Sequence, residues 1–285
     1  MRENERKSAP QWYPGHMARG LRKLRELSEK LDLFVEVRDA RAPFLTGSPF
    51  SGQVAKFRPV WVVLSKVDLA AEEATARWLS FFRGQGSQAW AMDLRRGNVS
   101  PLLRAAAKLK PAYRELRLAV IGIPNVGKSM LLNAVVGKSS APVGGIPGVT
   151  RGVAWYKGKG LLVVDSPGIL DPASHREVHR RLAWLGSSRS DVIGGYEDLA
   201  EGLIDFLRKS SKLERALASW DLEPQEETPS GTLRRVGLRL GCLVKGGEVN
   251  MDLAGKRFIE AFSTGRLGRF TLEGPGDPPP WEAGP

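Results

Sequence analysis

Five short apolar runs alternate with longer stretches of helical periodicity in the first part of the chain. Short, continuous apolar runs are typical of strands buried on both faces, and helices between them favour a parallel sheet. We therefore predict an α/β fold with a mostly parallel sheet flanked by helices. The predicted strands are residues 33–37, 60–64, 89–92, 118–123 and 161–164.

The pattern changes near residues 171–190, after which apolar positions recur at helical spacing, as in residues 199–217 and 255–262. Residues 274–285 are too rich in proline and glycine to pack. These shifts predict an α/β domain over residues 1–175, a smaller α-helical domain over residues 176–273 and a flexible tail over residues 274–285.

Composition excludes several classes of protein. The 285 residues include a single cysteine, Cys242, so no intramolecular disulfide can form, which suits a reducing cytoplasm. No apolar run approaches the ~20 residues that a bilayer span needs, and residues 1–10 lack the apolar stretch of a signal peptide. We therefore exclude a secreted disulfide scaffold and a membrane protein, and we predict a cytoplasmic protein without a membrane partner.

The formal net charge of +12 favours a polyanionic partner, and it is spread unevenly. Residues 83–117 hold eight Lys and Arg against two acids, and residues 230–272 hold eight against three. Residues 118–160 hold five basic residues and no acid, whereas residues 191–227 hold ten acids against four basic residues. The acid-free stretch fits a segment that surrounds phosphate, and the two basic stretches are candidate contacts for nucleic acid.

The strongest motif is GIPNVGKS at residues 122–129, a complete GxxxxGKS. It follows a predicted strand and precedes a helical stretch, which is the context that a phosphate-binding loop requires. Backbone N–H groups of such a loop point at the phosphates, Lys128 reaches the β- and γ-phosphates, and the Ser129 hydroxyl ligates Mg²⁺. The other predicted nucleotide contacts of this loop are Asn125, Val126, Gly127 and Met130.

Two further elements follow in the order that a GTPase needs. Thr150 lies 22 residues beyond Lys128 and is expected to ligate Mg²⁺ and to sense the γ-phosphate. Asp165 begins the sequence DSPG at the end of a predicted strand and is expected to hold Mg²⁺ through water. The amide of Gly168 is expected to meet the γ-phosphate. Each fragment alone is weak, but the three in this order predict a nucleoside triphosphatase.

Guanine is selected by a carboxylate that accepts hydrogen bonds from the ring N1–H and the 2-amino group, which adenine cannot offer. The usual carrier follows a strand, and residues 65–68 (SKVD) follow the predicted strand 60–64. Asp68 is therefore the predicted selecting carboxylate. The full predicted base motif is Ser65, Lys66, Val67 and Asp68.

Asp93 and Leu94, after the predicted strand 89–92, are the candidate loop that supports the base from behind. The resulting order is base motif, support loop, phosphate loop, threonine loop and Asp-x-Pro-Gly, a circular permutation of the common GTPase order. Cutting one connection and joining nearby termini leaves a sheet and its site intact. We therefore predict a P-loop GTPase domain with circularly permuted motifs, which binds GTP or GDP with Mg²⁺.

In this order the motifs resemble the circularly permuted ribosome-biogenesis GTPases of the YlqF/RbgA type. Residues 11–17 (QWYPGHM) resemble the opening signature of that family, and residues 39–43 (DARAP) resemble its second signature. Residues 237–273 are similar to its C-terminal RNA-binding domain. The resemblance spans nearly all of residues 11–273.

The resemblance implies a GTPase that binds the large ribosomal subunit or its precursor, promotes its late assembly and is stimulated by the particle. It implies that the helical domain contacts rRNA, with candidate phosphate contacts in residues 234–239 and 266–269. We expect a monomer away from the ribosome. The alternative is a GTP-switched module that binds the ribosome or RNA with negligible catalytic turnover.

Several positions depart from the family pattern. Ser65 stands where the family has Asn and cannot make both contacts of an amide, so we expect weaker guanine affinity and unchanged base choice. Met130 replaces the usual Ser or Thr and leaves only its backbone N–H for the α-phosphate. Asp93 and Leu94 replace the small polar pair of the support loop.

The water-activating group is not evident from the phosphate motifs. Ile169 follows Gly168, where many small GTPases place a glutamine, so unstimulated hydrolysis should be slow. The resemblance points to His16 as a substitute, and the alternative is that His16 only packs the N-terminal segment. Asn125 matches the position linked in related GTPases to K⁺ coordination, and the alternative is a satisfied loop amide.

Three further candidate features are weaker. His175 and His179 lack a third ligand nearby, so an exposed helix is favoured over a zinc site. Cys242 is expected to be a small buried apolar group. Asp39 and Arg41 are either an ion pair or cap, or part of a site, and the sequence leaves both open.

Overall fold

The computed structural model describes residues 26, 28–48, 50–137, 142–143, 154–166, 176–188 and 194–277. None of the helices in these ranges is both long and apolar enough to cross a membrane.

The described strands form one seven-stranded sheet. They are β1 (Leu33–Asp39), β2 (Val60–Ser65), β3 (Ala89–Ala91), β4 (Leu116–Ile121), β5 (Pro142–Val143), β6 (Trp155–Gly158) and β7 (Leu161–Asp165). Their spatial order is β3-β2-β1-β4-β7-β6-β5. β4 lies parallel to β1 on one side and to β7 on the other, whereas β6 is antiparallel to β7 and β5 is antiparallel to β6.

All five predicted strands are present, with ends that differ from the prediction by at most a few residues. β1, β2, β4 and β7 consist mostly of buried residues, as the continuous apolar runs indicated. The sequence did not predict β5 or β6. β6 joins β7 through the two-residue turn Lys159 and Gly160, both at positive φ, which is the geometry of a tight hairpin.

The described part of the chain also contains nine α-helices and one 3₁₀ turn, Leu94–Arg96. The helices are α1 (Ser51–Val54), α2 (Glu72–Gly84), α3 (Ser100–Ala107), α4 (Lys128–Val136), α5 (Arg176–Trp184), α6 (Tyr196–Lys209), α7 (Leu213–Ala218), α8 (Pro229–Arg239) and α9 (Met251–Ser263).

The described chain after β7 is helical apart from one isolated bridge between Leu243 and Val249. The predicted helical stretch 199–217 is two helices, α6 and α7, separated by a break in which Ser211 has a positive φ. α9 packs against α6, α8 and α5. It approaches α6 closely at Gly255, where an added Cβ would lie 2.3 Å from the carbonyl oxygen of Tyr196.

The contacts divide the chain into two compact units. The first comprises Met1–Arg38, Gly47–Val63 and Phe82–Ser174, and the second comprises Asp39–Thr46, Leu64–Phe81 and His175–Pro285. The sequence predicted continuous segments that meet between residues 175 and 176. The second unit, however, also takes two short stretches from the first half of the chain, and these contain the DARAP sequence and the base motif.

Candidate nucleotide site

The phosphate loop, residues 122–129, follows β4 and runs into α4. Because β4 is a buried strand between two parallel neighbours, its carboxyl end is the usual place for a ligand in a sheet of this type. Positive φ angles at Gly122, Asn125 and Gly127 turn the chain from strand to helix. Backbone turns of this kind form the anion-binding concavities of phosphate loops.

The loop leaves β4 in close contact with β1. An added Cβ on Gly122, which has φ 147°, would lie 2.6 Å from the carbonyl oxygen of Val37 and 3.1 Å from a methyl group of Val126. The first of these contacts is with backbone, which cannot move aside as a flexible side chain can. The start of the loop therefore requires glycine.

Lys128 is the first residue of α4 and is buried. Its ammonium group donates a hydrogen bond to the carbonyl oxygen of Ile123, 2.7 Å away. Burial lowers the pKa of Lys128 to about 8, and the nearby carboxylate of Asp165 opposes that shift. An anionic ligand would raise the pKa again, because added negative charge favours the protonated amine.

Asp165 is the last residue of β7 and stands opposite Val120 of β4. Burial raises its pKa, and Lys128 acts in the opposite direction. The hydroxyl of Ser166 donates to the carbonyl oxygen of Val120 at 2.6 Å, which ties the chain after β7 to β4. The structure thus brings two predicted site residues, Lys128 and Asp165, within electrostatic reach of each other.

The other predicted nucleotide contacts of the phosphate loop differ from one another in their exposure to solvent. Val126 is buried, whereas Asn125, Ser129 and Met130 are exposed. The hydroxyl of Ser129 is therefore open to a ligand at the start of α4.

Asp93 is used as a local cap. Its carboxylate accepts a hydrogen bond from the backbone N–H of Arg95 at 3.1 Å and lies 3.3 Å from the guanidinium of Arg96. Leu94 is buried, and the 3₁₀ turn that it begins packs against α4. The contact of Asp93 and Leu94 with a guanine base stays a prediction.

The base motif, residues 65–68, follows β2 and belongs to the second compact unit. Ser65 is buried, and its carbonyl oxygen accepts a hydrogen bond from Ala40 at 2.9 Å. Lys66 adopts a positive φ of 53°, and the three residues from Lys66 to Asp68 are half-buried. The motif therefore begins in the sheet and turns out of it within one residue.

An ion cluster that the sequence did not predict joins the buried Asp39 and Arg41 to the half-buried Lys66. One oxygen of Asp39 lies 2.7 Å from Arg41 and 2.9 Å from the Lys66 ammonium, and the other accepts from the Arg41 side chain at 3.0 Å. Burial acts to raise the pKa of Asp39, but Arg41 and Lys66 hold it below its ordinary value. Of the two alternatives for Asp39 and Arg41, the ion pair is present. A usable signal was that the predicted strands 33–37 and 60–64 are both followed by charged residues.

Several predicted residues lie outside the described ranges: His16, Thr150, Gly168, Ile169 and His175. His179 is described, and the expectation of an exposed helix is wrong at this position, because α5 packs against α6 and α9 and His179 is buried. Within the described ranges, no group of three or more His, Cys, Asp or Glu is placed to hold a metal ion. Cys242 is buried with a free thiol, which confirms that prediction.

Known proteins resemble this chain over almost its whole length. The protein of Priestia megaterium described as ribosome biogenesis GTPase A is 34% identical over 284 residues, covering 94% of this chain and 97% of that protein. The chain belongs to the ribosome biogenesis GTPase A family. Residues 117–228 also match the family model described as 50S ribosome-binding GTPase.

Solved structures agree with membership of the ribosome biogenesis GTPase A family. A GDP-bound YlqF has a TM-score of 0.66 at 26% identity, covering 89% of this chain and 99% of that one. A GNP-bound YlqF from T. maritima has a TM-score of 0.63 at 26% identity, covering 90% and 98%. These likenesses confirm the predicted GTPase fold with its mostly parallel sheet, and the permuted motif order is consistent with the family. As a member of this family, the protein is a GTP hydrolase of ribosome biogenesis and binds GTP and GDP.

Proposed function

We propose that this GTPase binds the large ribosomal subunit or its precursor, promotes its late assembly, and hydrolyses GTP slowly until the particle stimulates it. The observation that carries the proposal is a complete phosphate loop between β4 and α4, with Lys128 buried at the start of α4 and Asp165 at the end of β7, the strand that pairs with β4. The name of the relatives supports ribosomal association, since it refers to ribosome biogenesis, and the description of the matching family model refers to the 50S ribosome.

The proposed reaction is in-line attack of water on the γ-phosphorus. The bond from that phosphorus to the β,γ-bridging oxygen breaks, GDP leaves with the bridging oxygen, and the proton of the attacking water passes to the phosphate product. The protonated Lys128 stabilises the negative charge that develops on the β- and γ-phosphates. We assign the remaining phosphate contacts to the backbone N–H groups of Asn125, Val126, Gly127, Met130 and Gly168.

The residues around Lys128 fit a magnesium ion. The exposed hydroxyl of Ser129 and the carboxylate of Asp165 are oxygen ligands of the kind that Mg²⁺ prefers. We assign direct ligation to Ser129 and Thr150 and contact through water to Asp165. When bound, Mg²⁺ supplies positive charge at the β- and γ-phosphate oxygens. The exposed Asn125 at positive φ is the proposed contact for a K⁺ ion beside the phosphates.

The base motif is proposed to select guanine through Asp68. Its carboxylate would accept from the base N1–H and 2-amino group, with Ser65, Lys66 and Val67 shaping the loop. Asp93 and Leu94 are proposed to support the base, and the packing of their turn against α4 supports this placement. We propose that His16 orients the attacking water when the particle docks, because the apolar Ile169 cannot.

The helical segment after β7 is proposed to contact rRNA, with the protein monomeric away from the ribosome. Exposed basic side chains on and around α8 and α9 support this assignment; they are Arg234, Lys245, Lys256, Arg257, Arg266 and Arg269. RNA backbones are held mainly by such cations.

Phosphate release from GTP, measured with and without purified precursor and mature large subunits, tests the proposal. We expect slow basal turnover, clear stimulation by a large subunit, and loss of both in Lys128→Ala. Preference for GTP over ATP is expected in the same assay. Equal use of GTP and ATP would contradict the role of Asp68.

The second candidate is a GTP-switched module that binds the ribosome or RNA with negligible turnover. Ile169, Ser65 and Met130 favour it, because each weakens a contact that hydrolysis or nucleotide affinity uses. Large subunits that bind the GTP form tightly but leave phosphate release at its basal rate would favour this candidate over the first.

A further inference from the structure

Arg41 connects the base motif to the ends of two helices in the second compact unit. Its guanidinium holds Asp39, which in turn holds Lys66 of the base motif at 2.9 Å. The same guanidinium donates to the carbonyl oxygen of Ser263, the last residue of α9, at 3.0 Å, and to that of Leu185, directly after α5, at 3.1 Å. Arg41 is only 1% exposed, so water does not compete for these bonds.

These partners match both the positive charge of the Arg41 guanidinium and its several N–H donors. The carboxyl ends of α5 and α9 carry unpaired carbonyl oxygens and partial negative charge, which a cation stabilises. The planar fork of arginine reaches a carboxylate and two carbonyl oxygens together, whereas the single ammonium of a lysine cannot replace all of these contacts.

The chain after α9 makes a second connection to the same stretches. In this C-terminal segment, residues 270–273, the N–H of Phe270 donates to the carbonyl oxygen of Leu69 at 2.9 Å, and the N–H of Leu272 donates to that of Arg41 at 2.7 Å. The hydroxyl of Thr271 accepts from the N–H of Ala71 at 3.1 Å. Leu69 immediately follows the base motif, so both sides of the motif are held by the chain that includes α9.

We propose that Arg41 is a positioning residue that couples the guanine-binding loop to α5, α9 and the C-terminal segment. This inference rests on the proposed role of residues 65–68 in binding guanine. A base that orders Lys66 and Asp68 would tighten the bonds of Arg41 and of the C-terminal segment. By reciprocity, any ligand that disturbs the ends of α5 and α9 would change guanine affinity by the same factor.

The first test compares three ligands: GDP, inosine diphosphate, which lacks the 2-amino group, and inorganic pyrophosphate, which lacks a base. In Arg41→Lys we expect GDP affinity to fall about tenfold and the preference for GDP over inosine diphosphate to fall towards one. Pyrophosphate affinity should be unchanged, because the phosphate loop belongs to the first compact unit. If Arg41 only stabilised the fold, the affinity of the variant for all three ligands would fall together.

Two further comparisons separate positioning from general damage. Thr271→Val removes the acceptor for Ala71 and should lower GDP preference about threefold, whereas Thr271→Ser keeps the hydroxyl and should not. Arg114→Lys is the control for loss of an arginine–carboxylate pair away from the base motif, because Arg114 makes a two-bond, solvent-exposed pair with Asp32 in the first unit. It should bind all three ligands as the wild type does.

Hydrogen exchange of the wild-type protein provides a test that needs no variant. GDP should slow exchange at the backbone amides of Phe270 and Leu272, and pyrophosphate should not. This measurement decides the inference if Arg41→Lys fails to fold.

Unchanged exchange on GDP binding overturns the coupling, as does a folded Arg41→Lys that keeps the wild-type preference for GDP; both leave the base assignment intact. Equal binding of GDP and inosine diphosphate by the wild type instead overturns the role of Asp68 and, with it, this inference. The two failures are therefore distinguishable.

Discussion

In the free protein, burial lowers the pKa of Lys128 to about 8. Below that pH the free protein already carries the proton, so binding takes up none and affinity should be flat. Above it, the phosphates must draw a proton onto the amine, so affinity falls as pH rises, by up to about tenfold per pH unit. We expect the dissociation constant of GDP to be constant near pH 7 and to increase between pH 8 and 8.5.

Calorimetry in buffers of different ionisation enthalpy checks this prediction, because the proton uptake must match the slope of affinity against pH. Lys128→Arg is the control, since its guanidinium keeps its charge over this range. The Lys128→Arg variant should bind GDP more weakly than the wild type does, and its affinity should not change with pH over this range. If the GDP affinity of the wild type stays constant up to pH 8.5, protonation of Lys128 does not control binding as we predict.

Individual residues differ in how far the sequence predicts them. Lys128 could be assigned because a strand, a loop and a helix next to each other in the chain determine its position, and Asp165 because it ends an apolar strand at the start of the DSPG sequence. The bond from Asp39 to Lys66 depends on which strands are neighbours in the sheet, and residue spacing does not reveal that. The cap formed by Asp93 depends on a 3₁₀ turn that composition does not indicate.

At the scale of elements, the phosphate loop passes so close to β1 that there is no room for a side chain at Gly122. Gly122→Ala places a Cβ 2.6 Å from the Val37 carbonyl oxygen, so either the loop or β1 must move. We expect about 2–3 kcal/mol of lost stability, seen as a lower urea midpoint, together with weaker GDP binding.

Gly86→Ala is the matched control, because Gly86 also has a positive φ but an added Cβ there meets nothing within 4 Å. It should cost only the conformational penalty of about 1 kcal/mol and leave GDP affinity unchanged. Equal losses for the two variants would show that the close approach to Val37 contributes nothing.

Elements were predictable where one continuous signal defines them. The central strands are mostly apolar, so their type and approximate ends follow from the sequence. β6 could not be predicted in this way, because Trp155 is its only buried residue. Its strand geometry comes from pairing with β7. α8 begins at Pro229 behind the capping hydroxyl of Thr228, a signal that the sequence contains but that its glycines obscure.

Across the whole molecule, the basic stretch 230–272 does not act as one surface. Arg235 lies 3.5 Å from Glu227, and Arg239 lies 2.9 Å from Asp221, so acids of the preceding stretch engage part of its charge. Lys256 and Arg257 are exposed on α9. If the helical segment meets rRNA, the pair on α9 should contribute more to binding than Arg239 does.

The double variant Lys256→Gln/Arg257→Gln should bind purified large subunits more weakly, with a smaller dependence on salt. Each phosphate contact that is lost should reduce the slope of log affinity against log salt by about 0.7 to 0.9. Lys209→Gln is the matched control, since Lys209 is exposed but pairs with Asp205 at 2.8 Å within the acidic stretch 191–227. Circular dichroism checks that both variants fold. An unchanged slope in the double variant would mean that this face of α9 makes no contact with rRNA phosphates, because loss of two contacts cannot leave counterion release unaltered.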